Sequence, residues 1–195
     1  MILEQWFATP TWYDVFSNIS EKEYNDAINY CNDLSRISPG RVISNVGGWQ
    51  SESLLYEDIK ETPLRVFFEQ LKPAVKEALT ALGVLRELPI NNIWININGT
   101  NNGNRSHDHP NSSISGVFYL TQNNSEIIFH RNRDIAEYHL EWLESNRKTN
   151  LSNTTVSYSP KRGQYLIFPS WLMHSVRPNI STEKRISIAF NVATV

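Results

Sequence analysis

A single cysteine, Cys31, leaves no partner for an intrachain disulfide. It falls in a stretch expected to be helical, where a lone thiol serves as a small buried hydrophobe rather than a nucleophile. An excess of one charge is also missing. Eighteen Lys and Arg stand against 20 Asp and Glu, a net charge of −2 at pH 7, and no basic run is longer than Lys161-Arg162. A sequence-independent grip on nucleic acid or on an anionic membrane draws on concentrated Lys and Arg, so neither partner is expected. No stretch approaches the ~20 apolar residues of a membrane span. The first residues show no charged segment leading into a long apolar run, and the expected location is the cytoplasm. Internal repeats and low-complexity linkers are absent as well.

What is there is a globular composition, 40% hydrophobic and 19% charged, in a length that suits one domain with a real core. The expected division is a helical and irregular support region, 1–88, followed by a β-rich core, 89–195. In the support region Leu3 to Val15 reads as extended. Ser20 with Glu23 makes a capping box for a helix to about Ser35, ended by Pro39-Gly40. Val46 to Gln50 reads as a loop. Thr62-Pro63 opens a second helix with Leu64, Phe67, Phe68, Leu71, Val75 and Leu79 on one face and a stop at Gly83. From Ile90 the period becomes two: Ile93, Ile95 and Ile97 alternate with Trp94, Asn96 and Asn98. Short strands are expected over Ser115–Leu120, Glu126–His130, Thr154–Tyr158, Gln164–Phe168 and Ile186–Val192, with one helix over Arg133–Glu144. Helices followed by many short strands predict an α+β fold, mainly β: a jelly roll buttressed by N-terminal helices.

Three motifs carry the chemistry. His107-Asp108-His109 sits in a polar, loop-like stretch, and residues two apart in an extended segment point the same way. The pair can reach one metal while Asp108 points elsewhere, although two surface histidines would look the same. Further on, Gly163 starts a strand that Pro169 stops, and His174 follows; alone it could be a core histidine, but with His107 and His109 it completes a two-plus-one metal site. On the last strand Arg185, Ser187 and Asn191 share one face and Ile186, Ile188 and Phe190 the other. An arginine and a serine there offer a fork and a hydroxyl to a carboxylate.

The order of these motifs, with Asn45-Val46-Gly47-Gly48-Trp49-Gln50-Ser51, Ser115-Gly116-Val117-Phe118-Tyr119-Leu120, Phe168-Pro169-Ser170-Trp171 and Arg185-Ile186-Ser187-Ile188-Ala189-Phe190-Asn191, resembles the 2-oxoglutarate/Fe(II) oxygenases. Within them it looks like a prolyl-hydroxylase-like branch common in marine bacteriophages and bacteria, which would place the protein in a host cytoplasm. The resemblance implies a double-stranded β-helix, Fe(II) as metal, 2-oxoglutarate and O2 as cosubstrates, and succinate and CO2 as products. It implies that His107 and His174 are histidine ligands. It also implies that His109 fills the third ligand position, where most of the superfamily has a carboxylate. Arg185 matches the arginine that pairs with the distal carboxylate of 2-oxoglutarate, Tyr119 resembles a tyrosine used on the same group, and Ser187 could add a hydrogen bond. The implied substrate is a peptide or protein side chain or a small molecule. Halogenation is disfavoured, because His109 fills the position that halogenating relatives vacate. A cupin without 2-oxoglutarate is the competing reading, with Glu126 as its extra ligand. A non-enzymatic jelly-roll structural or carbohydrate-binding protein is the other.

Overall fold

Ser20 opens the first helix in the way its sequence dictates: its side chain accepts from the Glu23 N–H while the Glu23 carboxylate takes the Ser20 N–H. This helix, α1 (Glu21–Ile37), is followed by a single turn, α2 (Tyr56–Ile59), which the sequence pattern did not announce, and by α3 (Arg65–Ala81). Helix α3 runs through Pro73 and stops where expected, with Gly83 at φ +83 and the Val84 N–H donating to the Leu79 carbonyl. The computed structural model describes residue 2, residues 7–131, residue 149 and residues 152–194. The helix expected over Arg133–Glu144 lies outside the described residues. Among the described residues no helix is long and apolar enough to cross a membrane.

Eleven strands are described: β1 (Trp12–Val15), β2 (Asn45–Val46), β3 (Trp49–Gln50), β4 (Ile90–Asn98), β5 (Gly103–His107), β6 (Ser112–Tyr119), β7 (Ile127–His130), β8 (Thr155–Tyr158), β9 (Gln164–Pro169), β10 (His174–Val176) and β11 (Arg185–Ala193). They form a six-stranded sheet, β1-β9-β6-β11-β4-β3, and a five-stranded sheet, β2-β5-β10-β7-β8. Every pairing is antiparallel. This is the jelly roll expected from the alternating pattern.

The six-stranded sheet has two differently covered faces. Its outer face, with Ile93, Ile95, Ile97, Ile114, Phe118, Ile167, Ile186, Ile188 and Phe190, packs with Phe67, Phe68, Leu71 and Val75 of α3 and with Ala27 and Cys31 of α1 in one core. Phe118 is central to it, stacked on Phe67 and edge-on to Phe16 and Phe68. The inner face, with Val117, Tyr119, Leu166 and Phe168, meets Ile127 and Phe129 of the opposite sheet. Gly116 leaves room for the Phe190 ring, since a Cβ there would lie 2.3 Å from its Cζ.

The stretch expected as a loop, Val46 to Gln50, has strand character instead. Asn45 and Val46 pair with β5 in one sheet; Trp49 and Gln50 pair with β4 in the other. Gly47 and Gly48, at φ +66 and +67, carry the chain between them, and a Cβ on Gly48 would meet the Ile97 carbonyl at 2.8 Å. The stretch before His107, also expected as a loop, is strand β5.

Two substitutions test this packing. Phe118→Ala should lower unfolding stability by about 3–5 kcal/mol through a cavity under α3. Gly116→Ala should lower it by about 1–3 kcal/mol through overpacking against Phe190. Guanidinium titrations measure both, and an unchanged midpoint in either variant contradicts the packing described.

Candidate functional site

His107 and His174 are brought together by strand pairing: they are direct partners across β5 and β10. The next pair in register is Asn104 with Val176, so three steps along β5 match two along β10. A regular strand would send Asn104 and His107 to opposite faces. The bulge re-aims the chain, and both line the same cleft between the sheets. His109 follows the strand end, with its N–H donating to the Ser170 carbonyl at 2.9 Å. Asp108, between them, is exposed.

The three imidazoles each offer a nitrogen within 4.8 Å of the others. Nδ1 of His107 lies 2.7 Å from the Arg105 carbonyl, and Nδ1 of His174 lies 2.9 Å from that of Leu172. Each carbonyl holds the ring proton on Nδ1 and leaves the Nε2 lone pair for a metal. Nε2 of His109 is 3.2 Å from Nε2 of His174. Two nitrogens bound at right angles, ~2.1 Å from one ion, would be about 3 Å apart. The Asn191 side chain counters part of the effect of burial on His109, and its Oδ1 accepts from Ser115 Oγ at 2.7 Å. Trp94 lies nearly parallel to the His109 ring, with centroids 5.3 Å apart.

Burial is the main force on these rings. It pulls His107 below its ordinary value, His109 down to about 4 and His174 down to about 3, with the neighbouring His107 adding to both of the latter shifts. All three are therefore neutral near pH 7, the form that binds a metal.

At the other end of the cleft stands Arg185, 2% exposed. Its Nη1 donates to Ser187 Oγ at 3.2 Å, and its guanidinium sits 5.0 Å from the centre of the Tyr119 ring. Arg185 Nε and the Tyr119 hydroxyl are both buried without a hydrogen-bond partner. Among the described residues no carboxylate pairs with Arg185, and burial pushes its pKa down. A buried cation lacking a counter-charge is costly on its own; a bidentate anion such as a carboxylate would answer both the charge and the open donors.

The cleft thus gathers His107, His109, His174, Arg185 and Ser187, residues singled out in the sequence, and Tyr119 lies fully buried against Arg185. Trp94, Asn96 and Asn191 join them, and only strand alternation hinted at that. Trp171, which its motif places near the histidines, is 59% exposed beyond Ser170. His130 stands apart, bonded to Ser175. Glu126 pairs with Arg177 and accepts from Ser157, away from the histidine cluster. His139, Trp6 and Trp142 lie outside the described residues.

The depressed pKa values set a stability signature for metal-free protein. In the unfolded chain histidine titrates near 6.5; in the folded chain His109 and His174 resist protonation until about 4 and 3. The unfolded state then binds more protons below pH 6.5, so this contribution is fully present above 6.5 and is lost as pH falls through about 4 for His109 and about 3 for His174. Urea midpoints of chelator-treated protein should drop between pH 7.5 and 5 more steeply than those of the His109→Gln/His174→Gln variant. Equal slopes would contradict the buried, neutral rings.

Comparison with known proteins agrees with this geometry. The family described as "Putative 2OG-Fe(II) oxygenase" matches residues 92–191, just over half of the chain. No curated protein matches. Among solved structures, a Pseudomonas putida prolyl-4-hydroxylase aligns with TM-score 0.64 at 14% identity, over 96% of this chain and 94% of that one. The α-ketoglutarate-dependent carbocyclase SnoK of nogalamycin biosynthesis gives 0.66 at 12%, over 95% and 79%. HygX from Streptomyces hygroscopicus, solved with nickel and 2-oxoglutarate bound, gives 0.61 at 14%, over 96% and 83%. At these identities the likeness speaks for the fold. The family match, the jelly roll and a histidine cluster facing a buried arginine lead to one conclusion: the chain belongs to the 2OG-Fe(II) oxygenases, enzymes that use iron, 2-oxoglutarate and O2.

Proposed function

We propose that His107, His109 and His174 hold Fe(II), that Arg185, Tyr119 and Ser187 bind the distal carboxylate of 2-oxoglutarate, and that the enzyme hydroxylates a peptide or protein side chain or a small molecule. The observation that carries this reading is the buried Arg185 with its open Nε, which packs on Tyr119 and lines the same cleft as three neutral imidazoles. When bound, iron would activate O2, which would oxidise both 2-oxoglutarate, to succinate and CO2, and the substrate C–H, to an alcohol. The chain supplies the rest. The Arg105 and Leu172 carbonyls fix two ring tautomers, the stacked Trp94 ring backs the third, and Phe168 and Val117 give the cleft an apolar wall.

His109 replaces a carboxylate with a neutral ring. The metal centre then keeps its full positive charge, which suits a dianionic cosubstrate. The cupin reading loses support because Glu126 is engaged by Arg177 and Ser157. A purely structural role leaves the unanswered charge of Arg185 without a purpose.

Arg185→Ala should abolish 2-oxoglutarate binding while Mn(II) still binds, since removing one partner of a buried charge pair costs roughly 2–5 kcal/mol. Tyr119→Phe should weaken it by about 1 kcal/mol, one hydrogen bond. Calorimetry on Mn(II)-loaded protein decides, and unchanged affinity in Arg185→Ala rejects the assignment.

A second pair of variants addresses the ligands. His109→Ala should lose stoichiometric Mn(II) and Asp108→Ala should retain most of it. The reverse result would restore a two-histidine, one-carboxylate site.

A further inference from the structure

Asp108 stands between His107 and His109, and Trp171 stands on the turn that leads from β9 to His174. The two are joined through the backbone. The His109 N–H donates to the Ser170 carbonyl at 2.9 Å, which links peptide unit 108–109 to peptide unit 170–171. With standard backbone dimensions the Cα atoms of Asp108 and Trp171 are then no more than about 8 Å apart. The carbonyl on the other side of Trp171, that of Leu172, holds Nδ1 of His174. Both residues are thus fixed to the histidine cluster through its own supports. The Asp108 carboxylate is near enough to act by its charge on both His107 and His109.

Neither side chain is used by the fold. Leu172 is the inward anchor of the turn, buried in the core between the sheets, and it leaves Trp171 outside at 59% exposure. The other described tryptophans, Trp12, Trp49 and Trp94, are half-buried, whereas Asp108 is exposed. Among the described residues the Asp108 side chain has no ion pair or hydrogen bond, Arg105 included, and the Trp171 ring has no stacking partner. A carboxylate and an indole face side by side are the two groups that hold an organic cation, the first by its charge and the second by its ring quadrupole. An anion would be repelled by Asp108, and an apolar group would strip water from it without return.

We propose that Asp108 and Trp171 form a subsite for a cationic group of the primary substrate, an ammonium or a guanidinium. The subsite rests on the oxygenase reading of the cleft and adds the class of substrate that it takes. Neither residue lines the cleft itself, so the subsite holds a part of the substrate that stays outside while another part enters. Three neutral imidazoles bring no negative charge to the metal. With a divalent ion and the 2-oxoglutarate dianion in place the charges cancel, and a cation approaches the cluster without net repulsion.

The test uses two small probes, 4-fluorobenzylamine, a cation at pH 7, and 4-fluorobenzyl alcohol, which is neutral. Fluorine NMR line widths give their affinities for the metal-free protein and for the protein loaded with Mn(II) and 2-oxoglutarate, where the paramagnetic ion also reports probes that sit near it. The amine should bind about fivefold more tightly than the alcohol in both forms, the combined effect of one exposed ion pair and one cation–π contact. It should show Mn(II)-dependent relaxation, and its advantage should shrink in 1 M salt. Asp108→Asn and Trp171→Leu alter exposed side chains, and each should cut the advantage at least about twofold while Mn(II) and 2-oxoglutarate still bind. Displacement of the amine by acetyl-Gly-Lys-Gly-amide or by butylamine supports the subsite and tells a peptide substrate from a small amine. Equal affinity of the two probes in the unaltered protein overturns the subsite, as does an advantage unchanged in Asp108→Asn or unaccompanied by Mn(II)-dependent relaxation. Loss of Mn(II) in Asp108→Asn also overturns it, by making Asp108 a ligand. Failure of the unaltered protein to bind 2-oxoglutarate would instead reject the carboxylate pocket, and the comparison on metal-free protein would still decide the subsite.

Discussion

Strand β11 is buried along almost its whole length, and both of its faces are committed. Ile186, Ile188 and Phe190 enter the core beneath α1 and α3, while Arg185, Ser187 and Ala189 enter the cleft. A slip of one residue against β4 or β6 would drive Arg185 among Phe67, Phe68 and Phe118 and turn isoleucines toward the histidines. The alternation therefore does two things at once: it joins helices to sheet, and it sets the chemistry of the interior. The aromatic cluster around Phe118 and the space kept by Gly116 hold that register in place.

The interior so created is polar where a stable core would be apolar. Arg185 Nε, the Tyr119 hydroxyl, Gln50 Oε1 and the side-chain oxygens of Asn96 and Asn98 are all buried and open. Such groups weaken the apoprotein, and function explains their retention, since ligands can meet them. Donors and acceptors stand together at the Arg185 end, where Asn98 is the register partner of Arg185, and the three uncharged imidazoles line the same cleft. A cleft with this arrangement can hold an anion and a cation in fixed relation. A larger cavity, about 800 Å3, opens between α3 and residues 84–90, but it lacks such convergent polar groups; its lysines are engaged, Lys72 by Glu69 and Lys76 by Glu87.

Much of this was legible before any coordinates. The capping box at Ser20, the apolar face of α3 and the period-two runs on β4, β6 and β11 are local signals, and the structure follows them within a few residues. Less legible were the elements whose form depends on partners far along the chain. Val46–Gln50 looks like a loop because its glycines dominate locally, yet Val46, with Asn45 before it, is recruited by β5, and Trp49 and Gln50 are recruited by β4. Strand β5 looks like a polar loop for the same reason.

The site divides in a similar way. The residue types and their order determined what chemistry the chain can perform: imidazoles for a metal, a guanidinium and hydroxyls for a carboxylate. Alternation along one strand was enough to place Arg185 with Ser187. It could not place His107, whose aim comes from a bulge defined only by pairing with β10. Nor could it show that Gln50, 46 residues before Asn96, lies beside it with its oxygen unmet. Side-chain direction within a strand follows from the backbone's own period, whereas register between strands, and the burial that leaves a charge or an amide open, exist only once distant segments have packed together.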